Sequence, residues 1–154
     1  MKSKYLIGTF SLNCCPNVTE IISKNLDYVI LDREHGSHNF DNVNVLNKII
    51  KNNCLSLVRC SHLSRIEIQK CLDINPDGIL IPQISSLEDA EQAINYSFFS
   101  PKGSRGVSPY TASFNYNHSD SDIKKKKINK KIFLGLHQFL LILVIFSILH
   151  LPLF

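Results

Sequence analysis

Asp32-Arg33-Glu34-His35-Gly36 is a dense run of titratable side chains directly behind the apolar Val29-Ile30-Leu31. A histidine flanked by carboxylates is held in one tautomer and made more basic. That suits general acid/base work near neutral pH. A solvated charged loop fits the same residues equally well. Arg59 lies inside the apolar Ser56–Cys60 segment, SLVRC. Burying a lone guanidinium is costly, so it needs an anion. A substrate carboxylate gripped bidentately would serve. A structural ion pair with Asp32 or Glu34 would serve as well. In Gly103-Ser104-Arg105-Gly106 the glycines let backbone N–H groups approach an anion, although most such loops are plain turns. His38, His62 and His118 read as solvated loop residues.

These groups need elements to hold them. Tyr5–Leu12 reads as a short strand, and Pro16-Asn17 opens a helix over about Val18–Asn25. Asp27–Asp32 is a buried strand by its β-branched and aromatic content. Asp41–Asn53 has helical apolar spacing, with Asp41 as the candidate N-cap. Ser56–Cys60 is a third strand. Ser64–Ile74 is a helix with a Ser64/Glu67 capping-box spacing. Gly78–Pro82 is a fourth strand. Ser86–Tyr96 is a helix with Glu88 and Asp89 in its first turn, and 98–116 is a loop. The pattern is four strand–helix units, an α/β chain with a parallel sheet under helices. Either an open doubly wound sheet or a (β/α)8 barrel fits it. A full barrel takes about 250 residues, so four units supply the N-terminal half of one.

Charge and hydropathy divide the chain into 1–123, a lysine-rich linker at 124–131, and an apolar tail at 132–154. The first part carries 11 Lys and Arg against 13 Asp and Glu. Six lysines in 124–131 then turn this balance of −2 into the chain's +4. The basicity is one short run, which argues against nucleic-acid binding. The 23 residues of the tail carry no charged side chain, and 17 are aliphatic or aromatic. This is the composition of a transmembrane helix, and the lysines before it would hold residues 1–131 in the cytoplasm. A core segment and an out-of-frame translation product are the competing readings. The cysteine number, five, is odd and no spacing suits zinc, so the expectation is free buried thiols in a reducing cytoplasm. Cys60 follows Arg59 but must point to the other face of its strand, which argues against a catalytic thiol there.

The landmarks IGTF (7–10), DYVILDREHG (27–36), LVR (57–59), CLD (71–73), DGILIPQ (77–83) and SPKGSRGV (100–107) occur in order. Together they resemble the HpcH/HpaI aldolase family, the class II pyruvate aldolases. The resemblance implies a TIM barrel that makes or breaks a carbon–carbon bond through a pyruvate enolate on a divalent metal (Mg, Mn or Co). It implies a small 2-oxo acid as substrate and a homo-oligomer. By position it implies His35 as the acid/base and Arg59 as the group that holds the oxo acid. Asp73 would act on that histidine from a neighbouring subunit, and Gly103, Arg105 and Gly106 would form part of the substrate-binding surface. The family holds its metal with a Glu after strand five and an Asp after strand six. This chain has no Asp or Glu after Asp122, so the expected metal ligands are none. Ile132–Leu136 (IFLGL) is similar to the start of the family's fifth strand, and His137-Gln138-Phe139 departs from it. The expectation is a truncated aldolase module, inactive alone. The alternative is a non-catalytic or frameshifted fragment, tethered to a membrane through its tail.

Overall fold

The computed structural model describes residues 5–117, 121–131, 133–138 and 141–145. The strands are β1 (Gly8–Ser11), β2 (Tyr28–Asp32), β3 (Leu55–Arg59), β4 (Gly78–Ile81), β5 (Phe133–Gln138) and β6 (Leu141–Ile145). The helices are α1 (Pro16–Ser23), α2 (Phe40–Lys51), α3 (Arg65–Asp73), α4 (Leu87–Ser97) and α5 (Ser121–Lys131), with one 3-10 turn at Ala112–Phe114.

The strands form one sheet in chain order, β1 to β6. Neighbours from β1 to β5 are parallel. A doubly wound sheet reverses its strand order at a switch point, and no reversal occurs here. Right-handed crossovers between successive neighbours put every helix on the same face. The core shows this directly. Val29, Leu31, Val58, Cys60, Ile79, Ile81, Leu134 and Leu136 all belong to the helix-covered face, packed on Val43, Leu46, Ile50, Ile68 and Leu72. Residues of the other parity, Phe10, Ile30, Leu57, Asp32 and Arg59, lie on the opposite face. The architecture is an arc of a (β/α) barrel.

The helix starts show their chemistry. Asn39, not Asp41, caps α2, its side chain accepting from the N–H of Asn42. Ser64 caps α3, but Glu67 does not complete a capping box, because its carboxylate is used elsewhere. Ser86 and Asp89 form a complete capping box on α4.

The expected lysine-rich linker is helical: its lysines fall in α5. Lysine is a good helix former, and the Asn129 side-chain amide anchors the helix. Asn129 accepts from the Phe99 N–H at 2.9 Å and donates to the Phe99 carbonyl at 3.0 Å. The expected apolar C-terminal helix is also corrected. Residues 133–138 continue the parallel sheet beside β4, and 141–145 return as an antiparallel strand. Only two residues separate β5 from β6. A parallel return needs a crossover of a dozen or more, so the second strand must run antiparallel. Among the described residues no helix is long and apolar enough to cross a membrane. Residues 132, 139, 140 and 146–154 of the expected span lie outside the described residues.

Of the cysteines, all free, Cys60 and Cys71 are buried. Cys14 and Cys54 are half-buried and Cys15 is exposed. The expectation of uniformly buried thiols holds only for the two on the helix-covered side of the sheet.

Candidate active site

Asp32 and Arg59 end adjacent parallel strands and are register partners on the face away from the helices. Arg59 donates twice to Asp32, Nε to Oδ1 at 2.8 Å and Nη2 to Oδ2 at 2.6 Å. Its Nη1 lies 3.3 Å from Glu34 Oε2, and its guanidinium sits 4.6 Å from the Phe10 ring centre. Asp32 Oδ1 also accepts the backbone N–H groups of Glu34 at 3.0 Å and His35 at 3.3 Å. Asp32 is wholly buried. Burial pushes its pKa up, but the Arg59 and backbone hydrogen bonds outweigh that and hold it below the ordinary carboxylate value. Hydrogen bonding to Asp32 raises the pKa of Arg59 against its burial. Glu34 Oε1 accepts from the Gln83 side chain at 3.0 Å, so the cluster ties the ends of β2 and β3 to the segment after β4. Gln83 adopts a left-handed backbone, φ 57°, a strained conformation of the kind found at working sites.

His35 stands at the rim, its side chain 69% exposed and its Nε2 3.8 Å from Glu34 Oε2. The loop that carries it is fixed from behind. Arg33 donates to Glu67 through Nε at 2.9 Å and Nη2 at 3.2 Å, and to the His38 carbonyl through Nη1 at 2.9 Å. Its guanidinium stacks 3.6 Å from the Phe40 ring centre. Burial pushes Glu67 up, but Arg33 and the Ser61 N–H outweigh it and leave the carboxylate below its ordinary value. Gly36 is required by close approach: a Cβ there would stand 2.2 Å from the Asp32 carbonyl oxygen.

Asp73, Gly103, Arg105 and Gly106 form a separate cluster. Asp73 ends α3, which runs back from the strand ends, so within one chain it does not meet His35. Arg105 Nη2 donates to Asp73 Oδ1 at 2.8 Å, and its guanidinium lies 4.5 Å from the Phe99 ring centre. Arg65, Gln69 and Asp73, at helical spacing along α3, line the side facing this loop. Arg65 donates to the Ser104 carbonyl at 3.2 Å, and a Cβ on Gly106 would lie 3.0 Å from Gln69 Oε1. The N–H groups of Gly103, Ser104 and Arg105 donate to the Phe99, Asn95 and Phe98 carbonyls. Those donors point into the protein and form no anion cradle in this chain. An open groove of about 320 Å³ beside Asp73 is lined by Phe40, Lys70, Thr111 and Tyr116 among others.

The structure therefore brings Arg59, Asp32, Glu34 and His35 together and leaves Asp73 and Arg105 apart. Asp32 entered the sequence analysis as one of the carboxylates near His35 and as an ion-pair partner for Arg59, and Glu67 only as a capping residue. For Asp32 the signal was present: each residue closes an apolar strand at matching parity. His38, expected to be solvated, is buried, with its Nε2 2.8 Å from the Ser11 carbonyl oxygen. His62 is exposed as expected, and His118 lies outside the described residues.

A divalent cation does not fit the donor set at the strand ends. Both oxygens of Asp32 and one of Glu34 face the Arg59 guanidinium. Among the described residues no three His, Cys, Asp or Glu side chains converge.

A parallel barrel arc with a charged cluster at the carboxyl ends of its strands is the α/β-barrel architecture in which active sites form at that end. The comparisons name the group. No family model matches the chain. It is 31% identical over 104 residues to 5-keto-4-deoxy-D-glucarate aldolase of Escherichia coli O139:H28, a match covering 66% of this chain and 41% of that protein. The crystal structure of an HpcH/HpaI aldolase from Desulfitobacterium hafniense superposes with a TM-score of 0.77 at 29% identity, over 86% of this chain and 52% of that one. An HpcH/HpaI aldolase/citrate lyase family protein from Burkholderia cenocepacia shares the fold, with a TM-score of 0.78 at 19% identity over 85% of this chain and 53% of that one. The chain therefore resembles the HpcH/HpaI aldolases in sequence and in fold, and spans about half the length of these relatives.

Proposed function

We propose that this chain carries the oxo-acid-binding and acid/base half of an HpcH/HpaI-type aldolase site. The reaction is retro-aldol cleavage of a 4-hydroxy-2-oxo acid to pyruvate and an aldehyde. The carrying observation is the buried Arg59 at the carboxyl end of β3, fixed by Asp32 and Glu34, with exposed His35 on the same rim. Two hydrogen bonds use Arg59 Nε and Nη2, and Nη1 is ion-paired with Glu34. A guanidinium has five N–H donors, so three remain for the substrate's carboxylate and oxo oxygens. Its charge offsets the negative charge that develops on the oxo acid as the carbon–carbon bond breaks. His35 takes the proton of the 4-hydroxyl as the aldehyde forms and returns a proton to the enolate carbon. Asp73 is assigned to the His35 of a second copy, which fits its position away from its own. No step is assigned to a cation on these residues, since the carboxylates present serve Arg59.

Two measurements test this reading. Saturation-transfer NMR should detect pyruvate binding to the chain and its loss in Arg59→Ala. Given Mg or Mn and a 4-hydroxy-2-oxo acid, the chain alone should release no pyruvate in a lactate dehydrogenase-coupled assay. Absence of pyruvate binding would overturn the proposal. Turnover that His35→Ala abolishes would make the chain a whole catalyst and overturn the half-site assignment.

A further inference from the structure

A second chemical constellation lies beside this loop and takes no part in the aldol reading. Cys14 follows β1, half-buried, with Sγ 3.5 Å from His38 Nδ1 and 3.5 Å from the Ser37 carbonyl oxygen. His38 is 6% exposed. Its Nε2 lies 2.8 Å from the Ser11 carbonyl oxygen, which only accepts, so Nε2 must carry a proton. In the neutral ring this leaves Nδ1 bare and directed at the thiol. Among the described residues Nδ1 has no other partner. The arrangement is a nucleophile, a base and a group that orients the base. The dyad also abuts the start of α1. Cys15 is the N-cap of that helix and makes no side-chain cap bond, which leaves the positive end of the helix dipole beside the thiol.

We propose that Cys14 and His38 form a thiol–imidazole dyad that adds to α,β-unsaturated carbonyl compounds, making Cys14 the reactive thiol of this chain. The S–H proton passes to His38 Nδ1 while Nε2 keeps its bond to Ser11. The sulfur lone pair forms the S–C bond at the β-carbon. The C=C π pair moves to the α-carbon, which takes the proton back from the imidazolium. No oxidant or leaving group is required. The adduct forms on a side chain laced to Ser37, two residues from His35.

Cys15 is the internal control. It is more exposed, adjacent in sequence, and its thiol has no hydrogen-bond partner among the described residues. The full chain is treated at pH 7 with a limiting amount of N-ethylmaleimide, and each cysteine is followed by peptide mass spectrometry. Cys14 should label about tenfold faster than Cys15, as expected where a positioned base takes the thiol proton during attack. His38→Gln keeps a donor for the Ser11 carbonyl and removes the base. It should slow Cys14 to the rate of Cys15 and leave Cys15 unchanged. Cys14→Ser should abolish the fast phase. A wild-type Cys14 no faster than Cys15 overturns the dyad, and so does a His38→Gln chain that keeps the fast phase. If His38→Gln unfolds by circular dichroism, Cys14→Ser decides alone, since a fast phase surviving there places the reactive thiol elsewhere.

Discussion

Asp32–Arg59 is a buried acid–base pair and Asp73–Arg105 joins a buried arginine to a half-buried carboxylate, and the two are built in opposite ways. The first has two parallel N–H···O bonds, backbone support for the carboxylate, and a second carboxylate on the guanidinium. The second has one bond at 2.8 Å, while Arg105 Nε and Nη1 are buried with no partner among the described residues. The consequences for charge diverge. Asp32 is held below its ordinary pKa. Burial pushes Asp73 above its ordinary value despite Arg105, and burial lowers Arg105 as well. A pair that satisfies its charges internally is self-contained and can position a substrate. A pair that leaves donors orphaned stores a cost that added contacts can relieve.

The largest effect should come from breaking the satisfied pair. Asp32→Ala leaves Arg59 buried without its principal anion and removes the acceptor for two loop N–H groups. Removing one partner of a buried ion pair costs about 3–5 kcal/mol. Urea unfolding followed by circular dichroism should show a loss of that size. A loss under about 1 kcal/mol would mean that Glu34 alone satisfies Arg59 and that the contrast between the pairs is false.

The pH dependence extends the contrast to the well-satisfied Glu67–Arg33 pair, set against Asp73, because the signs differ. Glu67 sits below its ordinary 4.5 in the folded chain. Its contribution to stability is present above that value and is lost as the pH falls through the lowered folded value. Asp73 sits above its ordinary 3.8. Its protonated form favours the fold below that value, and the benefit is lost as the pH rises through the raised folded value. Glu67→Gln should therefore fall further behind the wild type as the pH rises from 3 to 6. Asp73→Asn should gain on the wild type over the same range. Unfolding midpoints in urea at several pH values read both slopes. Parallel slopes for the two variants would refute the opposite assignments.

Much of this was legible in the sequence because it rests on local patterns. The four strand–helix units follow from apolar runs and caps. Arg59 was readable because a charge inside SLVRC demands a partner, and strand parity correctly sent Cys60 to the core. The start of the fifth strand was legible from the resemblance, but the tail as a whole was read as a helix because a charge-free Leu- and Ile-rich run satisfies helix and strand alike. The deciding fact, pairing with β4, is a tertiary one. His38 was misread because burial priors average over loops and cannot see that the carbonyl of Ser11 waits for a donor. The separation of Asp73 from His35 was readable in principle. A residue at the end of a helix lies at the opposite end of a parallel arc from the strand carboxyl termini.

The smallest effect should come from the unsatisfied pair. In Arg105 a side chain with no exposed surface packs on Phe99 and contributes one strong bond. Arg105→Met keeps most of the apolar volume against that ring and removes the two orphaned nitrogens. It also releases Asp73, whose carboxyl is partly exposed and whose pKa burial pushes above the ordinary value. Replacing a poorly satisfied buried charge by a well-packed apolar side chain is often neutral or stabilising. The unfolding free energy should then change by about 1 kcal/mol or less in either direction, far below the cost of Asp32→Ala. A loss of about 3 kcal/mol would show instead that Arg105 is fully satisfied in solution, through ordered water or a second copy of the chain seated on this face. Sedimentation equilibrium of wild type and variant separates those two sources, because only the second changes the association state.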